Sequence, residues 1–360
     1  MTRRHGDSDV WQFDTSPCHR VVISAFPAFR SAVETLGITV VANEPLARHT
    51  TFHIGGPADL YGAVSNITQL ERLTQTAITH NIPITILGGG SNILVSDAGV
   101  CGLVIANQAR DFGFLDSGLP IADREWMYLV PELEIDHPQL VTASGAALAG
   151  LARLAIKNGW TGLEWAVSIP GTVGGAVIGN AGAHGGDIAG NLVWALVFYP
   201  GQGRRILTKD ALGFAYRSSI LKRQIVAGEK LVVLAAGFQL QRSDVAEMTA
   251  RADGYLAKRR ASQPTEPSAG SIFRNPPGDH AGRLIEAVGL RGHRIGGAQI
   301  SPRHANFIVN AENARADDVI ALIDLMRDRV FDQFGVELIP EILFVGDWSK
   351  LPPYRPLPLV

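Results

Sequence analysis

The chain has 360 residues, of which 46% are hydrophobic and 18% are charged, and its formal net charge is −2. These values predict a globular protein of two or three domains and exclude a wholly disordered chain. The charge balance gives no reason to expect nucleic acid or a membrane surface as partner, and no apolar run approaches the ~20 residues of a membrane span.

The two cysteines, Cys18 and Cys101, show neither a CxxC motif nor a metal-type spacing. This favours a reducing cytoplasm and argues against a disulfide framework and a structural zinc site, so no metal is expected. The basic N-terminus lacks the apolar stretch of a secretory signal. We therefore expect a cytoplasmic protein, and the sequence makes no obligate protein partner evident.

The first 45 residues carry no motif and form an extension of unknown role. A short helix ending at Gly37 is predicted by its apolar face, formed by Phe26, Phe29, Val33 and Leu36. The turn residues Gly55-Gly56-Pro57 precede a predicted strand over Ala58–Val64. Thr68 and Glu71 then predict a capping box that opens a helix with Leu70, Leu73 and Ala77 on one face.

A short apolar strand, Ile82–Leu87, leads directly into Gly88-Gly89-Gly90-Ser91-Asn92. A glycine loop after a strand allows consecutive N–H groups to surround phosphate oxygens. Neither a P-loop lysine nor a Rossmann glycine pattern follows. The loop therefore predicts either an anion-binding site or a plain glycine turn.

The segment 111–136 is polar and punctuated by proline, and we interpret it as an inserted loop. A strand over Leu140–Ser144 and a helix over Ala147–Asn158 are predicted after it. The chain then reaches Gly162–Gly186, in which eight positions are glycine. Glycine permits positive φ and close approach of the backbone, so this segment predicts contact with a flat, phosphate-bearing ligand or a set of tight turns.

Strands are predicted over Leu192–Tyr199 and Leu231–Leu240, and the pattern changes near Arg242. Beyond it, the periodicity predicts helices over Val245–Arg260 and Asp317–Phe334. Glu341 precedes the apolar run Ile342–Val345, where it is either a solvated strand end or a buried acid.

Eight stretches, in this order, resemble the family of UDP-N-acetylenolpyruvoylglucosamine reductases, in its shorter branch without a tyrosine loop. They are TFHIGGPA (51–58), ILGGGSNILVSD (86–97), GLEWAVSIPGTVGGAVIGNAGAHGG (162–186), YRSS (216–219), AGSIFRNP (269–276), AGRLIEAVGLRGHRIGGAQIS (281–301), HANFIVN (304–310) and PEILFVG (340–346).

The resemblance implies an α+β protein with FAD as cofactor, NADPH as electron donor and UDP-N-acetylglucosamine enolpyruvate as substrate, in peptidoglycan precursor synthesis. It implies an FAD-binding region of the vanillyl-alcohol-oxidase (PCMH) type, in two subdomains over residues 46–242, which contains the inserted segment 111–136. A C-terminal α/β substrate domain would cover 243–348, with a tail over 349–360.

Three residues match the family's catalytic positions: Arg217 would pair with the substrate carboxylate, Ser271 would donate a proton, and Glu341 would lie near the enolpyruvyl group. Hydride would reach the terminal vinyl carbon from flavin N5, and Glu341 could act as a protonated acid because burial raises a carboxyl pKa. The implied cofactor contacts are Gly88, Gly89, Gly90, Ser91, Asn92, Ile169, Pro170, Gly171, Thr172, Gly174, Asn180, Gly182 and Gly186. The implied substrate contacts are Tyr216, Arg217, Asn275, His304 and Asn306.

Each of these residues also has an ordinary structural interpretation. Ser271 is typical of a turn serine, and Arg217 is typical of a surface arginine. Because 124 residues separate Arg217 from Glu341, their spacing in the sequence cannot show whether they meet. Two other functions stay open. One is an FAD oxidase or dehydrogenase of the same fold with a different substrate; the other is a flavin- or nucleotide-sugar-binding protein without turnover.

Overall fold

The computed structural model describes residues 9–10, 27–115, 137–349 and 358–359. The predicted N-terminal extension, inserted segment and tail therefore lie largely outside the described residues. The first strand is β1 (Asp9–Val10). The helix predicted before Gly37 is confirmed as α1 (Pro27–Thr35), which buries Phe29 and Val33.

A mixed sheet forms the first subdomain. Its elements in chain order are β2 (Val40–Pro45), β3 (Pro57–Val64), α2 (Ile67–Thr79), β4 (Ile84–Leu87), the separate short strand β5 (Ile93–Val95) and β6 (Val100–Asn107). The sheet order is β2-β3-β6-β4, in which β3 and β4 both run parallel to β6. Helix α2 makes the crossover that parallel strands require, and its predicted apolar face is buried.

Two expectations for this subdomain are wrong. Helix α2 is capped by Asn66, whose side chain accepts from the N–H of Gln69 at 2.8 Å, instead of by Thr68; asparagine is at least as good a cap as threonine. Glu71 accepts hydrogen bonds from Arg204.

Cys101 on β6 takes part in a disulfide bond, contrary to the expectation from cysteine spacing.

An antiparallel sheet and its covering helices form the second subdomain. The elements are β7 (Phe112–Leu115), β8 (Gln139–Ala143), α3 (Leu148–Lys157), β9 (Trp160–Thr161), α4 (Val173–Gly179), β10 (Gly182–Ala183), β11 (Gly186–Asp187), α5 (Ile188–Asn191), β12 (Leu192–Tyr199), β13 (Gly203–Thr208), α6 (Ile220–Val226), β14 (Val232–Gln239) and β15 (Gln241–Arg242). Five of the strands pair in the order β13-β12-β14-β8-β7. Phe112–Leu115 therefore belongs to a sheet, not to the inserted loop predicted from residue 111.

The last unit contains α7 (Val245–Ser262), β16 (Ser268–Ser271), α8 (Ala281–Ala287), β17 (Arg294–Ile295), β18 (Ala298–Ile300), β19 (Phe307–Asn310) and α9 (Ala316–Phe334). Its sheet has the order β16-β19-β18-β17. Helix α9 ends at Gly335 in the left-handed conformation, as the sequence predicts. Helix α7 packs elsewhere, because Met248 and Ala252 lie in the core of the second subdomain. The predicted boundary at residue 243 therefore lies before a helix that packs with the second subdomain.

The C-terminal unit is joined to the first subdomain by a strand and by a shared core. Strand β20 (Leu343–Val345) pairs in parallel with β5. Phe52, Ile54 and Leu94 pack among the apolar side chains of the C-terminal unit. The final strand, β21 (Pro358–Leu359), pairs with β1. No helix in the described part of the chain is long and apolar enough to cross a membrane.

Candidate active site

Two glycine-containing loops face one another at the end of β4. A Cβ atom on Gly88 would lie 2.4 Å from Thr172 Oγ1, and one on Gly89 would lie 2.9 Å from Gly171 Cα. Such distances leave no room for a side chain, so the backbones approach as only glycine permits. The two loops line a cavity of about 370 Å³. Four of the predicted cofactor residues line it: Gly88, Gly89, Gly171 and Thr172.

Sequence reasoning missed the rest of the cavity lining. These residues are His49, Tyr61, Leu87, Ala106, Asn107, Gln108, Arg110, Gly145 and Ala147. Leu87 and Asn107 end the neighbouring parallel strands β4 and β6. Ligands commonly bind at the carboxyl ends of parallel strands, so the strand order, had it been known, would have pointed to this edge.

A partly buried hydrogen-bond chain stiffens one wall of the cavity. His49 Nε2 lies 2.9 Å from Glu44 Oε1, and its Nδ1 lies 3.2 Å from the Tyr61 hydroxyl. The two rings stack at 4.5 Å between centroids. Burial, with the negative charge of Glu44, raises the pKa of Tyr61. Tyr61 therefore offers the cavity a neutral hydroxyl.

The other predicted cofactor residues have different surroundings. Gly90 adopts φ +59 and its carbonyl accepts from the Thr51 N–H at 3.0 Å. Gly174 donates to the Ser144 carbonyl at 2.8 Å. A Cβ on Gly186 would lie 2.5 Å from the Trp165 ring, so packing against Trp165 explains this glycine. Ser91, Asn92, Ile169, Pro170, Asn180 and Gly182 also lie outside the cavity lining.

Arg217 and Glu341 meet in the structure, although 124 residues separate them. Arg217 Nε donates to Glu341 Oε1 at 2.8 Å, and a second nitrogen donates to the Gly182 carbonyl at 2.8 Å. Both side chains are largely but not fully buried, at 24% and 17% exposure. Because the pair is partly buried, water and salt screen its attraction less than they screen that of a fully exposed pair.

The strand that carries Ser271 runs beside Glu341. The Glu341 N–H donates to the carbonyl of Ile272 at 2.7 Å. Asn92, from the glycine loop, donates through Nδ2 to the Glu341 carbonyl at 3.3 Å. We call Arg217, Ser271 and Glu341 with their surroundings the charged corner. Its main-chain contacts thus tie the C-terminal unit to the glycine loop.

The predicted substrate residues divide into two groups. Tyr216 is 56% exposed beside Arg217, whose guanidinium lies 5.2 Å from its ring centre. Asn306 is only 3% exposed and uses its amide on the backbone of Phe273, at 3.0 and 2.8 Å. Asn306 therefore fixes the main chain two residues after Ser271.

Asn275 and His304 also make structural contacts. Asn275 Oδ1 accepts from the Ala281 N–H at the start of α8, at 3.2 Å. His304 Nδ1 accepts from the Asn306 N–H at 3.2 Å, and its ring meets Phe307 edge-on. Burial lowers the pKa of His304, with a smaller contribution from Arg291. A neutral His304 suits its role as an acceptor.

Two further cations at the corner were missed by sequence reasoning. Lys222 is 9% exposed, and its Nζ donates to the Arg217 carbonyl at 3.1 Å. Arg274 is partly buried and interacts electrostatically with Glu341, Tyr216 and Arg217. Arg274 stands in the SIFRNP motif, so it could have been weighed, whereas nothing local distinguishes Lys222 from a surface lysine. Among the described residues, no group of His, Cys, Asp or Glu is arranged to hold a metal ion.

Two family models match the chain. One, an FAD binding domain, covers residues 58–204. The other is described as UDP-N-acetylenolpyruvoylglucosamine reductase, C-terminal domain, and covers residues 263–345. The second match begins after α7, in agreement with the packing of that helix on the second subdomain.

Named relatives are similar over most of their length. The chain is 41% identical over 309 residues to UDP-N-acetylenolpyruvoylglucosamine reductase of Chloroflexus aggregans, covering 86% of this chain and 98% of that protein. It is 39% identical over 342 residues to that of Synechocystis sp., covering 93% and 99%. A solved structure of the reductase (MurB) from Thermus caldophilus matches with TM-score 0.66 and 32% identity, covering 86% and 99%.

The fold and the site define an FAD-dependent oxidoreductase with an FAD-binding domain and a separate C-terminal domain. The predicted fold class and FAD cofactor are thereby confirmed. The chain belongs to the UDP-N-acetylenolpyruvoylglucosamine reductase family. The resemblance read from the eight motifs is confirmed as well, and the alternative of another FAD oxidase or dehydrogenase of the same fold, with a different substrate, is not favoured.

Proposed function

We propose that this protein reduces UDP-N-acetylglucosamine enolpyruvate to UDP-N-acetylmuramate, with NADPH as electron donor, in peptidoglycan precursor synthesis. The observation that carries the proposal is the meeting of Arg217 and Glu341 beside the strand of Ser271. The relatives that match over nearly their whole length bear the name of this reductase. The reaction would serve cell-wall biogenesis, and hence cell shape and division, in the cytoplasm.

The cavity between the glycine loops fits a cofactor that carries phosphates. Gly89 and Gly171 approach one another without side chains, so main-chain N–H groups can come close to phosphate oxygens. Gly88, Gly89, Gly171 and Thr172 would hold FAD there, with Tyr61 on the wall. When bound, FAD supplies the two-electron chemistry that transfers hydride from NADPH to the enolpyruvyl double bond.

Arg217 and Ser271 would divide the remaining chemistry. The Arg217 guanidinium would bind the substrate carboxylate and stabilise the negative charge that grows on it during reduction. The Ser271 Oγ would give its proton to the carbon next to that carboxylate, as a general acid. A serine hydroxyl is a weak acid, so neighbouring groups must stabilise the oxygen that remains.

Glu341 would exchange its partner when substrate arrives. In the structure it accepts a hydrogen bond from Arg217, which is the arginine that the substrate carboxylate also needs. The substrate carboxylate would therefore compete with the Glu341 carboxylate for the Arg217 guanidinium.

The deciding experiment follows the flavin spectrum without oxygen. The purified protein is first bleached with NADPH, and UDP-N-acetylglucosamine enolpyruvate is then added. Return of the oxidised spectrum, with UDP-N-acetylmuramate as product, supports the proposal. A yellow protein that bleaches but stays reduced refutes the substrate, and steady-state turnover excludes a protein that only binds.

A further inference from the structure

Arg217 occupies an unfavourable backbone conformation in a tight turn. Ala215 and Ser218 exchange two main-chain hydrogen bonds, at 3.0 and 3.1 Å, so Tyr216 and Arg217 are the central residues of the turn. Arg217 has φ +54, a region that residues with a Cβ rarely adopt. Surrounding contacts must therefore hold the turn in place.

Two buried polar side chains supply those contacts, one on each half of the turn. Asn180, 3% exposed, donates through Nδ2 to the Ala215 carbonyl at 3.0 Å. Lys222, 9% exposed, donates through Nζ to the Arg217 carbonyl at 3.1 Å. The amide and the ammonium thus restrain the main chain on which the guanidinium is mounted.

Lys222 is itself held by the start of helix α6. Its N–H donates to Ser219 Oγ at 3.2 Å, and the Ser219 hydroxyl, which is fully buried, donates to the Ile178 carbonyl at 2.7 Å. The ammonium consequently has a defined position under the turn, unlike the mobile end of a surface lysine.

The charges around Lys222 are unbalanced. The charged groups that act on it are Arg274, Glu341 and Arg217. With Lys222 itself, these groups comprise three cations and one carboxylate. Burial, then Arg274 and Arg217, lowers the pKa of Lys222 to about 8, against the opposing effect of Glu341. Lys222 is thus mainly protonated at neutral pH and loses its charge as the pH rises through that value.

We propose that Lys222 is a positioning residue, which holds Arg217 in its turn and keeps the corner positive enough for a substrate carboxylate to replace Glu341 on Arg217. It acts through the Arg217 main chain and through its charge. This inference rests on the proposed function, and it adds a residue to the recognition of a carboxylate-bearing substrate.

The test measures reoxidation of the NADPH-reduced enzyme by UDP-N-acetylglucosamine enolpyruvate, giving kcat and KM from neutral to alkaline pH. The variants are Lys222→Met, Lys222→Gln and Lys222→Arg, with Lys230→Met as the control because Lys230 is exposed. Lys222→Met is expected to lose about 10- to 100-fold in kcat/KM, the usual effect of losing a hydrogen bond to a charged group. Lys230→Met should stay within about twofold of the wild type.

The pH profile separates positioning by charge from a merely structural contact. In the wild type kcat/KM should fall as the pH rises through about 8, since the ammonium is lost above its pKa. Lys222→Arg should retain activity and shift this fall to higher pH, because arginine stays charged. Lys222→Gln keeps a hydrogen-bond donor without the charge. Its kcat/KM should be reduced at all pH values and should not fall further as the pH rises through about 8.

The outcomes separate the two proposals. A wild type that bleaches but is not reoxidised refutes the proposed function, and this inference with it. A reoxidised wild type whose Lys222→Met variant has the same kcat/KM refutes the inference alone. If Lys222→Met loses FAD or melts early, Lys222→Gln decides: an unchanged alkaline fall in that variant also refutes the inference.

Discussion

The cavity at the glycine loops and the charged corner share one loop but are built in opposite ways. Gly88 and Gly89 line the cavity, whereas Asn92, three residues later, holds the main chain of Glu341. The cavity wall is shaped by missing side chains, and the corner by charged side chains that are partly buried. An added carbon atom should therefore damage the first, and a lost polar group the second.

The largest expected effect is in the corner. Ser271→Ala removes the proposed proton donor and should slow reoxidation by substrate about 10²- to 10⁴-fold, the usual range for a general acid. Stopped-flow absorbance of the reduced flavin measures it. Ser268→Ala on the same strand is the control, and a Ser271→Ala enzyme with nearly wild-type reoxidation would show that Ser271 is not the donor.

The glycine loop is tested by adding one methyl group. Gly89→Ala would place a Cβ 2.9 Å from the Gly171 backbone, and overpacking of this kind costs about 1–3 kcal/mol. FAD affinity should fall about 5- to 150-fold, as measured by titration of the apoprotein. Gly254→Ala is the matched control, because nothing lies within 4 Å of its Cβ. Equal affinities for the two variants would contradict the close-approach argument.

A smaller effect is expected where a polar side chain is hydrogen-bonded to the main chain beside the corner. Asn306→Ala leaves the N–H and carbonyl of Phe273 without their side-chain partners, so the free energy of unfolding should fall by about 1–3 kcal/mol. Asn275→Ala removes one partly buried hydrogen bond to the start of α8 and should cost about 0.5 kcal/mol. Urea unfolding monitored by fluorescence measures both, and a larger loss for Asn275→Ala than for Asn306→Ala would contradict the importance given to the two Asn306 hydrogen bonds.

The smallest effect sharpens the contrast between buried and exposed charge. Arg30 and Glu34 form a pair 3.5 Å apart on α1, with 59% and 66% of their side chains exposed. Arg30→Ala should lower the free energy of unfolding by only about 0.3–0.5 kcal/mol and leave turnover unchanged. Thermal melts and the reoxidation assay check both values. A loss as large as that of Asn306→Ala would contradict the role given to burial.

Strands and helix ends were predicted well where neighbouring residues in the sequence determine them. The strand over Leu192–Tyr199 matches β12, and Gly335 ends α9 as expected. Errors arose where distant partners decide: Phe112–Leu115 is a strand because β8 pairs with it. Helix α7 packs against the second subdomain, because Met248 and Ala252 lie in the core of that subdomain. Neither partner can be read from the segment itself.

The candidate site was only partly accessible from sequence. Matching motifs indicated Arg217, Ser271 and Glu341 and predicted substrate contacts for Asn306 and Asn275, and only the structure shows that both amides also bond to the backbone. Gly186 is predicted to contact the cofactor, and the structure adds that its missing side chain makes room for Trp165. A motif records that a residue type is needed and does not record what that residue touches.

The sequence by itself determined the family, the FAD cofactor and the order of the elements, because periodicity, caps and motifs are local properties of the chain. Only the tertiary structure decided that Arg217 meets Glu341 across 124 residues and that Lys222 lies buried beneath their turn. Burial and charge interactions depend on distance in space, and folding alone sets that distance for residues far apart in the chain.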